Sequence, residues 1–350
     1  MPSILIKGGK IFDGKELVCK DIFAKNGKIL KIEPRISEAS DYVFDATGKL
    51  VLPGLVDAHV HIDGVSPSEF SFPAELSSIP FGVTAVCDAG GVSGDGALLD
   101  SYAVKTAVFI SYSGDAVACD ALLEKYGERA VGVKLYFDTA LDTSVTASSL
   151  WRCCEYARKR GLRVMVHSSN SPIPMKEIVE MLDESDIITH AYHGGKNGCE
   201  ENGYEALLLA KERGVIIDAG LAGHIHTDFG VFRRAVRAGF APDIISSDIT
   251  KLSAYTRGGR YGLPMCMSIA KELGMSELEI FKAVTEAPSR ALGRWGEWGR
   301  LSLGGCADIA VFDCLGEGFS LTDESGNHIE SKNGYRPLLT VSDGQILYKL

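Results

Sequence analysis

Two histidines separated by one residue close an apolar run near the start of the chain. The segment Leu55-Val-Asp-Ala-His-Val-His ends in His59 and His61. Because side chains alternate along a β-strand, residues two apart share a face, so both imidazoles could bind one zinc-like ion. The pair alone is weak evidence, since His224 and His226 repeat the same spacing and either pair could be structural.

Four further side chains of metal-binding type fall at or near the ends of other apolar runs. They are Lys134, His167, His190 and Asp248. If Lys134 lies on a strand, Val133 and Leu135 point to the opposite face and the lysine points inward. A buried lysine is costly unless it is neutralised or paired.

Each of these groups has a structural alternative: a hydrogen-bonded core histidine, an ion-paired lysine, or an aspartate that caps a helix. Six such groups at the ends of five different runs are hard to explain separately. Their coincidence favours a single shared metal site.

Eight apolar, β-branched runs alternate with helical segments in the middle of the chain. This pattern predicts the α/β class and a (β/α)8 TIM-like barrel, which would gather the strand ends at one face where barrel enzymes place catalytic groups. A doubly wound sheet would give the same alternation. The runs cover residues 55–62, 82–89, 104–111, 130–136, 163–167, 186–193, 215–219 and 243–248.

Both ends of the chain consist of short alternating strands and turns. They predict a small β-sandwich domain assembled from both termini, residues 1–52 and 297–350, around a barrel of residues 53–296. Two unrelated edge hairpins are the alternative.

Composition excludes several classes of protein. The net charge of −10 argues against a nucleic-acid surface, which would need a basic face. The nine cysteines are scattered without a CxxC pair, which indicates a reducing compartment and no zinc-thiolate site. The N-terminus lacks the features of a signal peptide, and no apolar run approaches the length of a membrane span. We therefore expect a cytoplasmic protein without a membrane or nucleic-acid partner.

Longer motifs around these residues resemble the amidohydrolase superfamily. The similarity is to its binuclear metal-dependent branch, which contains dihydroorotases, hydantoinases and N-acyl-amino-acid deacetylases. Gly48-Lys-Leu-Val-Leu-Pro-Gly-Leu-Val-Asp-Ala-His-Val-His resembles the family's entry into the first barrel strand, and Gly82-Val-Thr-Ala-Val-Cys-Asp-Ala-Gly resembles the second. Ala307-Asp-Ile-Ala-Val-Phe-Asp and Val341-Ser-Asp-Gly-Gln-Ile-Leu-Tyr resemble its return to the β domain.

The resemblance implies roles for all six candidate residues. His59, His61 and Asp248 would bind one divalent ion, and His167 and His190 would bind a second. Lys134 would be carboxylated by carbon dioxide and bridge the two ions. Imidazole and carboxylate ligands suit zinc, although manganese, cobalt and iron accept the same ligands.

The implied reaction is hydrolysis of an amide or ester bond in a small molecule. A hydroxide bridging the ions would attack the carbonyl, and Asp248 would act as general base and then as general acid.

Loop residues indicate the class of substrate. Dihydroorotases commonly carry an arginine two positions after the histidine pair, where this chain has Asp63. The segment His190-Ala-Tyr-His-Gly-Gly-Lys looks closer to the deacetylases, so an N-acyl amino acid or a related substrate is expected. A cyclic amide is the alternative. Candidate substrate contacts are Tyr192, His193 and His224, and Lys196 could also line the pocket. Shortly after Asp248, three further residues could bind an anionic group of the substrate: Arg257, Arg260 and Tyr261.

Three rival functions use the same barrel. A mononuclear deaminase would carry a glutamate shortly after His167, where the chain reads Ser-Ser-Asn. A metal-dependent lyase or isomerase shares the ligand set. A non-catalytic assembly protein would have lost ligands that this chain retains. A homo-oligomer is the expectation for its assembly.

Overall fold

Strands and short helices alternate along the computed structural model, which describes residues 2–92, 96–256, 261–323 and 325–350. The strands are β1 Ile4–Phe12, β2 Leu17–Lys25, β3 Lys28–Glu33, β4 Tyr42–Asp45, β5 Leu50–Pro53, β6 Leu55–Val60, β7 Val83–Gly91, β8 Lys105–Ser111, β9 Ala130–Tyr136, β10 Arg163–His167, β11 Ile187–Thr189, β12 Ile216–Ile217, β13 Ile309–Thr322, β14 His328–Ser342 and β15 Gln345–Lys349. The α-helices are α1 Ala74–Ser78, α2 Gly96–Ser101, α3 Ala116–Tyr126, α4 Ala147–Arg158, α5 Met175–Met181, α6 Glu205–Arg213, α7 Phe229–Arg237, α8 Lys251–Thr256, α9 Leu263–Glu272, α10 Glu277–Ala283 and α11 Glu286–Ala291.

The strands β6 to β12 form one parallel sheet in chain order, with helices between them. The predicted eighth run, residues 243–248, forms no regular strand. Two isolated parallel bridges, Asp218 to Ile244 and Val60 to Ile249, join this segment to both ends of the sheet and close the ring. Its backbone leaves the extended conformation at Asp248, where φ is 46°. The predicted barrel is therefore present, with an irregular eighth member.

Side chains of the barrel strands separate into an outer and an inner set. Val133 and Leu135 of β9 belong to the core that packs the strands against the helices. Lys134, between them, is fully buried. This is the alternation that the sequence predicts, and it directs the lysine toward the interior of the barrel.

A second sheet contains strands from both ends of the chain. Its order is β15-β14-β13-β5-β1-β2-β3, and β4 pairs with β1. Antiparallel pairing of β5 with β13 joins the N-terminal strands to the C-terminal ones. An isolated antiparallel bridge joins Lys28, on the edge strand β3, to Cys306, just before β13. The sheet therefore curls around one apolar core. The predicted fold class is confirmed, whereas the domain boundaries at residues 52/53 and 296/297 stay a prediction.

The β13–β14 hairpin reaches from this sheet to the barrel. Near its tip, Asp323 Oδ2 accepts a hydrogen bond of 2.7 Å from the backbone N–H of Phe229, at the start of α7. Asn327 donates to Asp228 Oδ1 at 3.1 Å, and Asp228 caps the same helix. Helices of a barrel begin at its C-terminal face, so the hairpin supports the loops of that face.

The helices within the described residues are short. The α4 helix, for example, has 12 residues. A membrane span needs about 20 predominantly apolar residues, and none of the helices in the described part of the chain meets that requirement.

We predict that Gly132→Ala destabilises the barrel. Gly132 lies on β9 between β8 and β10, and an added Cβ would stand 2.3 Å from Phe109 Cε1 and 2.5 Å from the carbonyl oxygen of Arg163. Such overpacking costs about 1–3 kcal/mol of unfolding free energy, which thermal or denaturant unfolding measures. Gly198→Ala is the matched control, because its Cβ would come no closer than 3.4 Å to another atom. Equal stability of the two variants would contradict the prediction.

Candidate metal centre

The first histidine pair meets a carboxylate at the end of β6. His59 Nε2 lies 3.3 Å and His61 Nε2 lies 3.0 Å from Oδ1 of Asp248. All three side chains are buried. The Asp248 backbone N–H also donates to the His59 carbonyl oxygen at 2.8 Å, which fixes the irregular eighth segment beside β6.

The outer nitrogen of each ring contacts a hydroxyl that is itself bonded to a carboxylate. His59 Nδ1 lies 3.0 Å from Thr189 Oγ1, which donates to Asp218 Oδ2 at 2.7 Å. Because the hydroxyl hydrogen goes to the carboxylate, the ring must donate its Nδ1–H to the hydroxyl oxygen. The lone pair of His59 is then on Nε2, which faces Asp248.

His61 repeats this arrangement on the other side of the site. Its Nδ1 lies 2.9 Å from Ser66 Oγ, which donates to Asp88 Oδ2 at 2.9 Å. Asp88 also accepts a backbone hydrogen bond of 2.8 Å from Ile62. Metal-binding histidines commonly donate their second ring N–H in this way, which fixes their tautomer and orientation.

His190 follows β11 with a left-handed backbone, φ 63°. Its Nδ1–H donates to the carbonyl oxygen of Gly220 at 2.7 Å. Its Nε2 is buried, has no hydrogen-bond partner among the described residues, and lies 3.8 Å from Asp248 Oδ2. A buried acceptor without a partner is costly, and a bound cation would satisfy it.

His167 ends β10 and packs edge-on against the His190 ring, with ring centroids 4.4 Å apart. Its Nε2 lies 2.6 Å from Ser169 Oγ and 3.1 Å from Asp138 Oδ2. Since a carboxylate only accepts hydrogen bonds, these contacts place the proton on Nε2. Nδ1 is then the nitrogen that can bind a cation.

Lys134 lies among these rings without a counter-ion. Its Nζ is 3.4 Å from His59 Nε2, and no carboxylate of the described residues is within ion-pair distance. Burial lowers the pKa of Lys134 to about 8. Burial therefore disfavours the ammonium form relative to a lysine in water.

Burial also controls the protonation of the histidines. It lowers the pKa of His59 to about 4 and that of His167 to about 3, and it lowers the pKa of His190 strongly. Burial would raise the pKa of Asp248, but its close contacts with the His59 and His61 imidazoles outweigh burial and hold that pKa below the ordinary value. Neutral imidazoles and an ionised carboxylate are the forms that bind metal ions.

Two groups of side chains bring three ligand atoms each within 4.8 Å of one another. One group is His59, His190 and Asp248, and the other is His167, His190 and His226. The structure thus brings the six sequence-predicted residues to one end of the barrel. Their assignment to individual ions stays a prediction.

Sequence reasoning missed His226 and the residues behind the rings. The sequence analysis treats His226 only as half of a second histidine pair that could be structural, although the position of that pair after the seventh apolar run is a signal for the site. Asp88 and Asp218 stand at the ends of the second and seventh apolar runs. The position of a carboxylate at a strand end was the available signal.

Two of the predicted substrate contacts, Tyr192 and His193, lie in different surroundings. Tyr192 belongs to the outer core, where its hydroxyl donates to the carbonyl oxygen of Phe240 at 3.0 Å. Its role as a substrate contact stays a prediction. His193 is buried, its Nδ1 accepts from the Gly195 N–H at 3.1 Å, and its Nε2 has no partner. It stays a candidate.

Of the remaining loop candidates, Tyr261 and Lys196 lie within the described residues. Tyr261 is buried and donates to the carbonyl oxygen of Ser247, beside Asp248. Lys196 is exposed to solvent. The side chain of His224 and all of Arg257 and Arg260 lie outside the described residues.

We predict that Ser66→Ala weakens metal binding. The change removes the hydroxyl that links His61 to Asp88, and loss of such a partner lowers metal affinity about 10–100-fold. Titration of the metal-free protein with zinc in the presence of a competing chelator measures the change. Ser71→Ala is the control, because the Ser71 hydroxyl donates its hydrogen bond to Asp63 and not to a carboxylate behind a histidine. Unaltered zinc affinity in the Ser66 variant would refute the orienting role.

Comparison with known proteins adds a family match. The sequence profile of the amidohydrolase family matches residues 50–347. A deacetylase of Enterococcus faecalis is 28% identical over 373 residues, which cover 98% of each chain.

Solved structures share the architecture over 99% of both chains. They include one described as a dihydroorotase, with a TM-score of 0.85 and 22% identity, and one described as an adenine deaminase, with a TM-score of 0.87 and 23% identity. At these identities the likeness concerns the fold alone.

Proposed function

The chain belongs to the amidohydrolase family, and from that premise we propose that it removes the acyl group of an N-acyl amino acid or a related small molecule. As a member of the family it is a hydrolase that acts on C–N bonds. The observation that carries the proposal is the convergence of His59, His190 and Asp248 at the strand ends, with ligand atoms within 4.8 Å of one another.

The residues at this site fit a pair of divalent ions, which we propose to be zinc. His59, His61 and Asp248 would hold one ion, and His167 and His190 would hold the other. The partnerless, buried Nε2 of His190 supports this fit, because only a cation or a polar ligand would satisfy it. When bound, such ions lower the pKa of water and polarise a carbonyl group.

Lys134 would bridge the two ions after carboxylation by carbon dioxide. A carbamate is anionic and has two oxygens, whereas an ammonium group would repel two cations. Support comes from the absence of a paired carboxylate among the described residues and from the 3.4 Å contact between Lys134 Nζ and His59 Nε2.

Asp248 would move the proton during the reaction. Its carboxylate is ionised at neutral pH, because the neighbouring imidazoles hold its pKa below the ordinary value against the effect of burial. It would accept a proton from the attacking water and deliver it to the leaving nitrogen. The contacts of Asp248 Oδ1 with His59 Nε2 and His61 Nε2 would hold the carboxylate in place for this transfer.

Two sequence features support a deacetylase-type substrate over dihydroorotate. Asp63 occupies the position where dihydroorotases commonly carry arginine, and its carboxylate accepts a hydrogen bond of 2.5 Å from Ser71. An aspartate there cannot supply the positive charge with which that arginine would hold the dihydroorotate carboxylate. The E. faecalis deacetylase, similar over nearly all of both chains, supports the same class.

We predict that Asp248→Asn lowers kcat by about 10²–10⁴-fold, because the amide cannot accept the proton. Bound metal, measured by elemental analysis, should remain, since the four histidines are unchanged. Asp63→Asn, nearby but outside the proposed proton path, is the control. Normal turnover in the Asp248 variant would contradict its role.

We further predict that chelation abolishes hydrolysis and that zinc with bicarbonate restores it. The substrates for this test are N-acetyl and N-formyl amino acids of both hands, with cyclic ureides and acyl esters as comparison classes. Hydrolysis rates before chelation, after chelation and after reconstitution are compared. Inactivity of a fully metallated sample on every amide would refute the proposed reaction, and turnover of the cyclic ureides alone would change the substrate class.

A further inference from the structure

We propose that His226 is a third imidazole ligand of the second ion, together with His167 and His190. This inference rests on the proposed function, because it concerns the same metal site. It adds one protein ligand to that ion and makes the second site richer in imidazole than the first.

The three rings are mutual neighbours. The centroid of the His226 ring lies 4.4 Å from that of His190 and 4.9 Å from that of His167. One ligand nitrogen from each ring lies within 4.8 Å of the other two. Nitrogens that bind one tetrahedral zinc ion at about 2.1 Å are about 3.4 Å apart, so small ring movements would complete the site.

A shared hydroxyl orients two of the rings. Ser169 Oγ lies 2.6 Å from His167 Nε2 and 3.2 Å from His226 Nδ1. If both nitrogens carry protons, the serine oxygen accepts from both with its two lone pairs. His167 then offers Nδ1 and His226 offers Nε2 to the ion.

The backbone holds His226 over the site from both sides. Before it, the N–H groups of Leu221 and Ala222 donate to the carbonyl oxygens of Ser246 and Ser247 at 3.2 and 3.0 Å. After it, the Asp228 N–H donates to a carbonyl oxygen of the loop that follows β11, at 2.9 Å. The segment is therefore fastened to the two chain segments that carry Asp248 and His190.

His226 would add to the ligands of the second ion. His190 belongs to both groups of three, and one imidazole nitrogen can bind only one ion. The first ion already has His59, His61 and Asp248 as candidate ligands, which leaves His190 to the second. The second ion would then have two imidazoles and the proposed Lys134 carbamate, and His226 would supply a third imidazole; three histidines also bind the ion of some zinc enzymes.

The test is zinc binding to His226→Ala, measured with a competing chromophoric chelator and by elemental analysis. The wild-type protein should bind two equivalents. The variant should keep the affinity of one and lose at least tenfold in the affinity of the other. His226→Gln, which preserves more of the packing, should show the same loss, and circular dichroism checks that each variant is folded.

His193→Ala is the matched control, because His193 is a buried imidazole of the same region that belongs to neither group of three. It should retain both zinc affinities. Two ions bound with unchanged affinity in folded His226 variants would overturn this inference and leave the proposed function standing. A wild-type protein that binds fewer than two ions would overturn both.

Discussion

The arrangement of the site depends on carboxylates that sit behind the histidines and not on the histidines alone. Asp88 and Asp218 are buried, and each takes the hydrogen of a hydroxyl whose oxygen then accepts from a ring. In a low-dielectric interior an unpaired ring or hydroxyl would be costly, so each pair must form completely. The result is that lone pairs of His59 and His61 point to one place. The two histidines converge because their buried hydrogen bonds to Thr189 and Ser66 must be satisfied.

The barrel interior is apolar along the strands and polar at their C-terminal ends, where the site lies. Strand positions deeper in the barrel carry Val56, Ala85, Phe109 and Met165, which pack without polar partners. The strand ends carry the ionisable groups, where loops supply the additional donors and acceptors. Changing a loop can therefore alter the substrate while the strands continue to hold the same ligands.

The sequence was sufficient to predict the fold class and to select the six residues of the site, because strand alternation and the position of strand ends are local properties. It was insufficient wherever the chain leaves regular geometry. The eighth run is predicted as a strand, but only isolated bridges join it to the sheet, and it ends in a left-handed residue at Asp248. Tyr192 follows a strand as a pocket residue would, yet its ring packs against Phe232 of α7, forty residues further along the chain. His226 reaches the site because the loop after β12 folds back over it, and the sequence does not indicate this path of the chain.

The backbone conformations of His190 and Asp248 link occupancy of the site to the durability of the barrel. Non-glycine residues with positive φ cost about 1–3 kcal/mol each, and these two lie at the ends of the sixth and eighth apolar runs. A cation held by His59, His61 and Asp248 would fasten the seam where the irregular segment meets β6, and a second cation held by His167 and His190 would join the ends of β10 and β11. Ion-free protein would open first at that seam, so resistance to proteolysis and loading with metal would rise together.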